Sequence, residues 1–235
     1  MTIDENLDLL EQTKDALKAS INTVYGDITS GTPFSAYSDS VDNIVDGYVG
    51  LLNDSVADYV FPDGVTKVKY RLFFNNLTLT SCTLSDDIQT IEESAFSYSG
   101  LRQINLPEGL VEIGNSAFSS CSSFSGTSGT TVVIPDSVTT IGSGAFYNAL
   151  YIRTVIVGSG CTSIGTNAFN MGNSESTKLQ YLYCYATEPP TVANSSFLNS
   201  SVKPNYIYVP SASVNAYKNA TGWSSYATII RAMPS

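Results

Sequence analysis

A branched aliphatic residue precedes a phenylalanine by five positions six times, and this spacing dominates the hydrophobic pattern of the chain. Successive pairs lie 23, 22, 28, 23 and 28 residues apart, and four of the phenylalanines directly follow an alanine. A period of about 20 to 29 residues is typical of a solenoid, whose units stack because none can bury its own apolar face. The pairs are Val68–Phe73, Ile91–Phe96, Ile113–Phe118, Ile141–Phe146, Ile164–Phe169 and Val192–Phe197.

Each unit is predicted to begin with a short strand that ends at a turn. A second short extended piece and a return bearing the phenylalanine follow, so that stacked units place the phenylalanines in a ladder. Apolar residues alternate along the first strand with period two, which predicts one buried face. The predicted inward positions are Tyr59/Phe61, Cys82/Leu84, Ile104/Leu106, Val132/Ile134, Val155/Val157 and Tyr183/Tyr185.

The first 45 residues carry a helical pattern instead, with apolar residues spaced four and three positions apart and one interruption at Lys14. A second short helix is predicted over residues 33–45. This pattern favours either a helical hairpin that packs on itself or on the second module, or a seam for self-association, because three heptads suffice for a coiled coil. The seam residues are Ile3, Leu7, Leu10, Leu17, Ile21 and Val24.

The charge of the chain is concentrated in this first segment. The 235 residues have a formal net charge of -10, and residues 1–60 hold 11 acidic side chains against only Lys14 and Lys18. The remaining residues, 61–235, hold 10 acidic and 9 basic side chains and are nearly neutral. The difference indicates two modules. So few basic residues also make a nucleic-acid partner unexpected, since phosphate contacts need Lys and Arg.

The composition excludes many kinds of catalytic and metal site. The chain has no histidine, which removes Ser-His and Cys-His nucleophile pairs and every His-ligated metal site. Its four cysteines lack a C-x-x-C spacing, their wide spacings indicate no disulfide, and they are predicted to be small buried or half-buried thiols. No phosphate-binding or nucleophile-elbow motif is present, so we expect no enzyme activity, no cofactor and no metal.

Two adjacent carboxylate pairs are the remaining candidates for acid-base chemistry. They are Asp86/Asp87 and Glu92/Glu93. Adjacent side chains on an extended chain diverge, and Asp86 falls at the predicted turn. We therefore interpret these carboxylates as solvated turn residues rather than as a catalytic pair.

The repeat units resemble a known family. "LRQINLPEGLVEIGNSAFSSC" and "VVIPDSVTTIGSGAFYNA" are similar to leucine-rich repeats of the BspA-like type, which occur in bacterial surface proteins. The tail from "YLYCYATEPP" to "GWSSYATII" resembles the end cap of that family. The resemblance covers about residues 56–231 and implies a fold, whereas function depends on sites carried by the fold.

The predicted fold class is therefore α+β, a short N-terminal helical module followed by a BspA-like β-solenoid with a capped C-terminus. The predicted domains are a helical anchoring and oligomerisation module at 1–55 and a solenoid of about six repeats at 56–235. The cap is predicted over about 198–235. Its apolar residues are expected to fold over the edge of the last repeat, with Trp223 as the anchor; they are Val214, Tyr217, Trp223 and Tyr226.

Two surfaces are candidates for binding. The two longer periods place polar insertions after the phenylalanine, at 119–129 and 170–177, and insertions at one repeat position project from one face. The second surface is the outward strand face, where Tyr and Arg would offer contact area and directional hydrogen bonds to a protein or a glycan. An inert solvated sheet is the alternative. The outward candidates are Arg102, Gln103, Asn105, Arg153, Thr154, Tyr181, Tyr206 and Tyr208.

The N-terminal segment carries a second resemblance. "NLDLLEQTKDALKASINTVYGDITSGTPFSAYSDSVDNI" is similar to N-terminal segments of tailed-phage virion proteins. That resemblance implies a non-enzymatic virion structural protein of the fibre or decoration type, made in the host cytoplasm without a signal peptide. Its partners would be other virion proteins, copies of itself (a trimer among the options) or a host-surface glycan or protein. The alternative is a bacterial cell-surface BspA-like adhesin.

Overall fold

A computed structural model describes the solenoid part of the chain. The described residues are 57–61, 63–121, 124, 130–171, 179–192, 197–198 and 203–234. The predicted helical module at 1–55, with its seam from Ile3 to Val24, lies outside these residues. Most of the two predicted insertions, 119–129 and 170–177, lies outside them as well.

The described residues form thirteen short strands, and every strand pair is parallel. The strands are β1 (Asp58–Val60), β2 (Lys67–Val68), β3 (Ser81–Thr83), β4 (Thr90–Ile91), β5 (Glu112–Ile113), β6 (Thr130–Ile134), β7 (Thr140–Ile141), β8 (Ile152–Val157), β9 (Ser163–Ile164), β10 (Tyr181–Cys184), β11 (Thr191–Val192), β12 (Tyr206–Val209) and β13 (Ile230–Ala232). They lie in sheets of six, five and two strands, and the pair β1–β3 is the smallest.

The six-stranded sheet runs β2-β4-β5-β7-β9-β11 and contains the aliphatic residue of every repeat. These residues pair in register from Val68 through the central isoleucines to Val192, so the predicted repeat alignment is confirmed. Each strand is only two residues long. A coil of this solenoid therefore presents one aliphatic side chain to the core and one exposed or half-buried neighbour.

The phenylalanines of five successive coils form the predicted ladder. Their ring centroids lie 5.1 to 5.9 Å apart with interplanar angles of 4 to 20°, and the rings are buried. The ladder rings are Phe73, Phe96, Phe118, Phe146 and Phe169. Backbone hydrogen bonds join the same positions between coils, as from the Phe96 N–H to the Ala117 oxygen at 2.8 Å. Phenylalanine packing and backbone pairing thus stabilise one face together.

The returns that carry Phe73, Phe96, Phe118 and Phe146 are each a series of turns with two left-handed residues. One lies two positions before the phenylalanine and one lies two positions after it, as in Ser94 and Tyr98, whose φ angles are 58° and 60°. Left-handed residues reverse the chain within few positions. They allow each coil to return while its N–H groups still point at the next coil.

The five-stranded sheet runs β6-β8-β10-β12-β13. Its strands are three to six residues long, whereas those of the six-stranded sheet have two residues. Of the predicted inward pairs, Val132/Ile134 and Val155/Val157 are buried here. In β10 the prediction of Tyr183/Tyr185 as inward residues is wrong, because Leu182 and Cys184 are buried. Period two places Tyr183 on the opposite face from these two residues.

A second difference concerns the segment 101–106. The predicted strand around Ile104 and Leu106 belongs to none of the three sheets, although Leu106 is buried and Ile104 is half-buried. The backbone N–H of Arg102 bonds to the Thr80 oxygen at 3.1 Å, and Gln103 and Asn105 are exposed. This irregular segment separates the β1–β3 pair from the five-stranded sheet.

The C-terminal end of the solenoid is closed by a short helix, α1 (Val214–Asn219), and by two turns of 3-10 helix at Ser211–Ser213 and Ser224–Tyr226. Tyr217 and Trp223 are fully buried, and Trp223 lies 4.7 Å from Phe197 between ring centroids. The part of the chain that the structure describes is therefore predominantly β. Within it, no helix has the length and apolar character needed to cross a membrane.

Candidate binding face

Four tyrosines and one arginine lie together on the outward side of the five-stranded sheet. We call this set the tyrosine face and define it as Tyr181, Tyr183, Tyr206, Tyr208 and Arg231. Strand register holds it together: Tyr181 lies opposite Tyr206, Tyr183 lies opposite Tyr208, and Tyr208 lies opposite Arg231. Because the alternate residues Leu182, Ile207 and Ile230 are buried in the core, the outward side chains have no other direction to take.

The tyrosine rings stack on one another. The Tyr183 and Tyr208 centroids lie 4.9 Å apart at an interplanar angle of 20°, and the Tyr181 and Tyr208 rings stack at 6.4 Å. A separation of 4.9 Å matches the spacing of neighbouring strands, so the rings stand out from the sheet with their faces covering each other. Ring edges and hydroxyl groups are what such a stack presents to a partner.

Arg231 closes one side of the stack. Its Cζ lies 5.3 Å from the centroid of the Tyr206 ring, within the range of a cation–π contact. Its Nη1 donates hydrogen bonds of 2.9 Å to the carbonyl oxygens of Thr228 and Ile230. These contacts fix the guanidinium on the surface while its other N–H groups make no hydrogen bond with described residues.

Tyr183, Tyr208 and Arg231 lie in one row across neighbouring strands, and apolar side chains continue this row across the rest of the sheet. Val133 lies opposite Ile156, and Ile156 lies opposite Tyr183. Val133 is 54% exposed, whereas valine in a strand usually packs on a half-buried surface. The row from Val133 to Arg231 therefore changes from aliphatic through aromatic to cationic across the five strands.

The electrostatics of this sheet differ from those of the whole chain. None of the residues in β6, β8, β10, β12 and β13 is acidic, and two of them, Arg153 and Arg231, are basic. The phenol of Tyr183 has a pKa raised above its usual value by burial and by the neighbouring tyrosines. The Tyr183 hydroxyl hence remains a neutral donor and acceptor at physiological pH.

The structure divides the sequence-predicted binding residues into two groups. Arg153, Thr154, Tyr181, Tyr206 and Tyr208 lie on the five-stranded sheet, where the Arg153 Nη1 donates to the Leu150 oxygen at 2.9 Å. The other three lie in the irregular segment outside that sheet; they are Arg102, Gln103 and Asn105.

Sequence reasoning missed Tyr183, Arg231, Ile156 and Val133 as members of the same surface. The signal for Tyr183 is present in "YLYC", since alternation gives Tyr181 and Tyr183 the same face. The signal for Arg231 is weaker. Its strand β13 has only three residues and follows the cap rather than a repeat unit.

The four cysteines are buried free thiols, as predicted. Burial raises the pKa of Cys82, Cys121 and Cys161 to about 12, and it raises the pKa of Cys184 as well. Thiols with raised pKa values are poor nucleophiles at neutral pH. The described residues also contain no group of three or more Cys, Asp or Glu side chains that could hold a metal ion.

In each of the two adjacent carboxylate pairs, one side chain accepts a hydrogen bond from the neighbouring coil. Asp87 Oδ2 accepts a hydrogen bond of 2.7 Å from the Gly64 N–H, and Glu92 Oε2 accepts one of 2.8 Å from the Tyr70 N–H. Each bond joins coils that are 22 or 23 residues apart. One member of each pair therefore connects successive coils.

A parallel solenoid with one aliphatic residue and one phenylalanine per coil defines a leucine-rich-repeat protein of the short-strand type. The chain belongs to the BspA-type leucine-rich repeat family, because residues 52–125 and 122–219 match six copies of that repeat. No curated protein matches the chain.

Three solved structures are similar to the chain. The pneumococcal vaccine antigen PcpA is 17% identical, with a TM-score of 0.57 over 75% of this chain and 40% of its own. The leucine-rich repeat protein of T. pallidum is 28% identical, with a TM-score of 0.48 over 55% of this chain and 56% of its own. A leucine-rich cell surface protein of Faecalibacterium prausnitzii is 20% identical, with a TM-score of 0.38 over 81% and 62%.

The likeness to PcpA shows the fold alone. The chain spans between 40 and 62% of the length of these three proteins.

Proposed function

We propose that the chain is a non-enzymatic interaction protein whose tyrosine face binds a partner protein. The observation that carries this proposal is the register of four tyrosines and Arg231 on one sheet face. Tyrosine and arginine are enriched among the residues that dominate binding energy at protein interfaces. Tyrosine also loses little conformational entropy on binding, since its side chain has two rotatable bonds.

The outward tyrosines are not needed for the core. The core of this sheet is made by Leu182, Cys184, Ile207, Val209 and Ile230, all of which are buried. Tyr206 is 39% exposed and lies on the solvent side of the sheet, outside this buried cluster. Stacking holds the rings in place before a partner arrives, and this lowers the entropic cost of binding.

Photo-crosslinking tests the proposal directly. We would place p-benzoylphenylalanine at Tyr208 in the full chain and, as a matched control, at Tyr147, an exposed tyrosine on the phenylalanine-bearing return. Irradiation in the culture that produces the protein should give a discrete adduct from position 208 and none from 147. Equal labelling at both positions, or none at 208, would contradict the proposal.

The setting of this interaction is a further proposal, with two alternatives. The virion role has the support of the N-terminal resemblance, and the seam from Ile3 to Val24 would provide oligomerisation. The cell-surface role has the support of the family resemblance. Mass spectrometry of purified phage particles and of surface-shaved cells distinguishes them, because the chain would be enriched in only one sample.

Self-association is tested separately. Light scattering of the full chain should give an oligomer mass that the single substitution Leu10→Lys lowers, because a charge within an apolar seam is costly. A monomer mass for the unsubstituted chain would exclude the seam. That result would leave the tyrosine face untouched.

A further inference from the structure

We infer that the partner segment bound by the tyrosine face is acidic and that Arg231 binds one of its carboxylates. This inference rests on the proposed function and adds the chemistry of the partner. It follows from three features of the face: its charge, the geometry of Arg231 and the orientation of the rings.

The charge of the face is opposite in sign to that of the chain. The five strands carry two arginines and no acidic residue, whereas the chain as a whole carries a formal charge of -10. Basic residues are scarce, at 11 in 235, so a sheet whose strands carry two arginines and no carboxylate differs in formal charge from the chain as a whole. Complementary charge favours acidic partners and excludes basic ones.

Arg231 is prepared to bind a carboxylate. The two bonds from Nη1 to the Thr228 and Ile230 carbonyl oxygens use one edge of the guanidinium, and the Tyr206 ring lies beside it. No carboxylate of a described residue forms an ion pair with Arg231. Nε and Nη2 are thus available as a pair of donors, which is the arrangement that binds a carboxylate with two parallel hydrogen bonds.

The ring geometry favours a protein over a glycan. Sugars bind aromatic residues through exposed ring faces, but the faces of Tyr183 and Tyr208 cover each other at 4.9 Å. The exposed aliphatic side chain of Val133 lies in the same row as Ile156 and offers apolar contact instead. Carboxylates beside apolar side chains are features of an acidic peptide segment.

Poly-L-glutamate is a suitable probe for the full chain. The chain and poly-L-glutamate are both negatively charged overall, so they repel each other at long range. Binding would therefore require a local site on the chain that attracts carboxylates. We would measure affinity by calorimetry at low and physiological salt. Arg231→Gln is compared with the unsubstituted chain and with Arg71→Gln, a matched control at an exposed arginine on the return before Phe73. Arg231→Lys tests the need for paired donors.

We expect poly-L-glutamate to bind, Arg231→Gln to weaken binding roughly tenfold or more, and Arg71→Gln to change it less than about twofold. Arg231→Lys should restore only part of the affinity. Absence of binding, or equal losses in both Gln variants, would overturn the inference. Tighter binding of polygalacturonate, a carboxylated glycan, would overturn it in favour of an acidic polysaccharide.

The two proposals fail differently. If position 208 still crosslinks a partner while poly-L-glutamate does not bind, the interaction face stands and its acidic partner is wrong. If position 208 yields no adduct, the proposed function itself fails.

Discussion

The indole N–H of Trp223 donates a hydrogen bond of 2.8 Å to the carbonyl oxygen of Pro190, and both residues are buried. The same indole ring lies 4.7 Å from Phe197 and 4.8 Å from Tyr217. Pro190 immediately precedes β11, the last strand of the six-stranded sheet. One side chain thus satisfies a buried carbonyl group and covers the aromatic residues at the end of the solenoid.

Replacing Trp223 should separate these two contributions. Trp223→Phe keeps a ring but leaves the Pro190 carbonyl oxygen without its donor, which should cost about 1 to 3 kcal/mol of unfolding free energy. Trp223→Ala also removes the ring and should cost about 3 to 5 kcal/mol. Urea unfolding measures both, with exposed Ser225→Ala as the control. Equal losses for Phe and Ala would show that the hydrogen bond, rather than the ring, closes the end.

Two neighbouring glycines should respond very differently to substitution. A Cβ at Gly142 would lie 2.5 Å from backbone atoms of Gly114 and Asn115, so Gly142→Ala must push two coils apart. Gly144 has a φ of 63°, a Cβ there would lie no closer than 3.4 Å to its neighbours, and serines occupy the corresponding left-handed position at Ser94 and Ser116.

We expect Gly144→Ser to cost about 1 to 2 kcal/mol, the penalty for a left-handed residue with a Cβ. Gly142→Ala should cost more than that, since overpacking against the backbone cannot be relieved by a side-chain rotation. Thermal unfolding ranks the two variants. If Gly144→Ser unfolds at a lower temperature than Gly142→Ala, the close spacing of the coils at Gly142 is contradicted.

The repeat could be predicted from the sequence because it recurs. One aliphatic residue and one phenylalanine per coil give both the register of the six-stranded sheet and the ladder, and each coil repeats the signal. The irregular course of the segment 101–106 could not be predicted, since Ile104 and Leu106 have the period-two spacing of a strand.

The candidate face was harder to predict than the core. Tyrosine is amphipathic, so "YLYCY" is compatible with either face until Leu182 and Cys184 are recognised as the buried pair. Arg231 lies 23 residues beyond Tyr208 in the sequence, and only the pairing of β12 with β13 brings the two together. Such contacts depend on register, which a single sequence without further repeats does not provide.

The adjacent carboxylates Asp86 and Asp87 provide a matched pair for testing the bonds between coils. Asp87→Ala removes the 2.7 Å hydrogen bond from the Gly64 N–H and should cost about 1 kcal/mol. Asp86→Ala removes the same charge one residue away, and its carboxylate accepts no hydrogen bond from a described residue, so its effect should stay within about 0.5 kcal/mol. Urea unfolding at neutral pH compares them. Similar losses would indicate that charge, rather than the bond, matters here.

The buried thiols should make the solenoid sensitive to alkaline pH. Burial raises the pKa of Cys82, Cys121 and Cys161 from an ordinary value of 9.0 to about 12. The folded state therefore binds these protons more tightly than the unfolded state does. Their stabilisation is complete below pH 9 and is lost as the pH rises from about 9 towards 12.

Each thiol should contribute a slope of up to about 1.4 kcal/mol of unfolding free energy per pH unit in that range. Urea unfolding in a reducing buffer between pH 7.5 and 10.5 measures the combined slope. Cys161→Ala should destabilise the fold at every pH. It should also reduce the alkaline slope of the unfolding free energy by up to the contribution of one thiol, about 1.4 kcal/mol per pH unit. A free energy of unfolding that stays constant to pH 10.5, or a slope unchanged by Cys161→Ala, would show that these thiols ionise without unfolding.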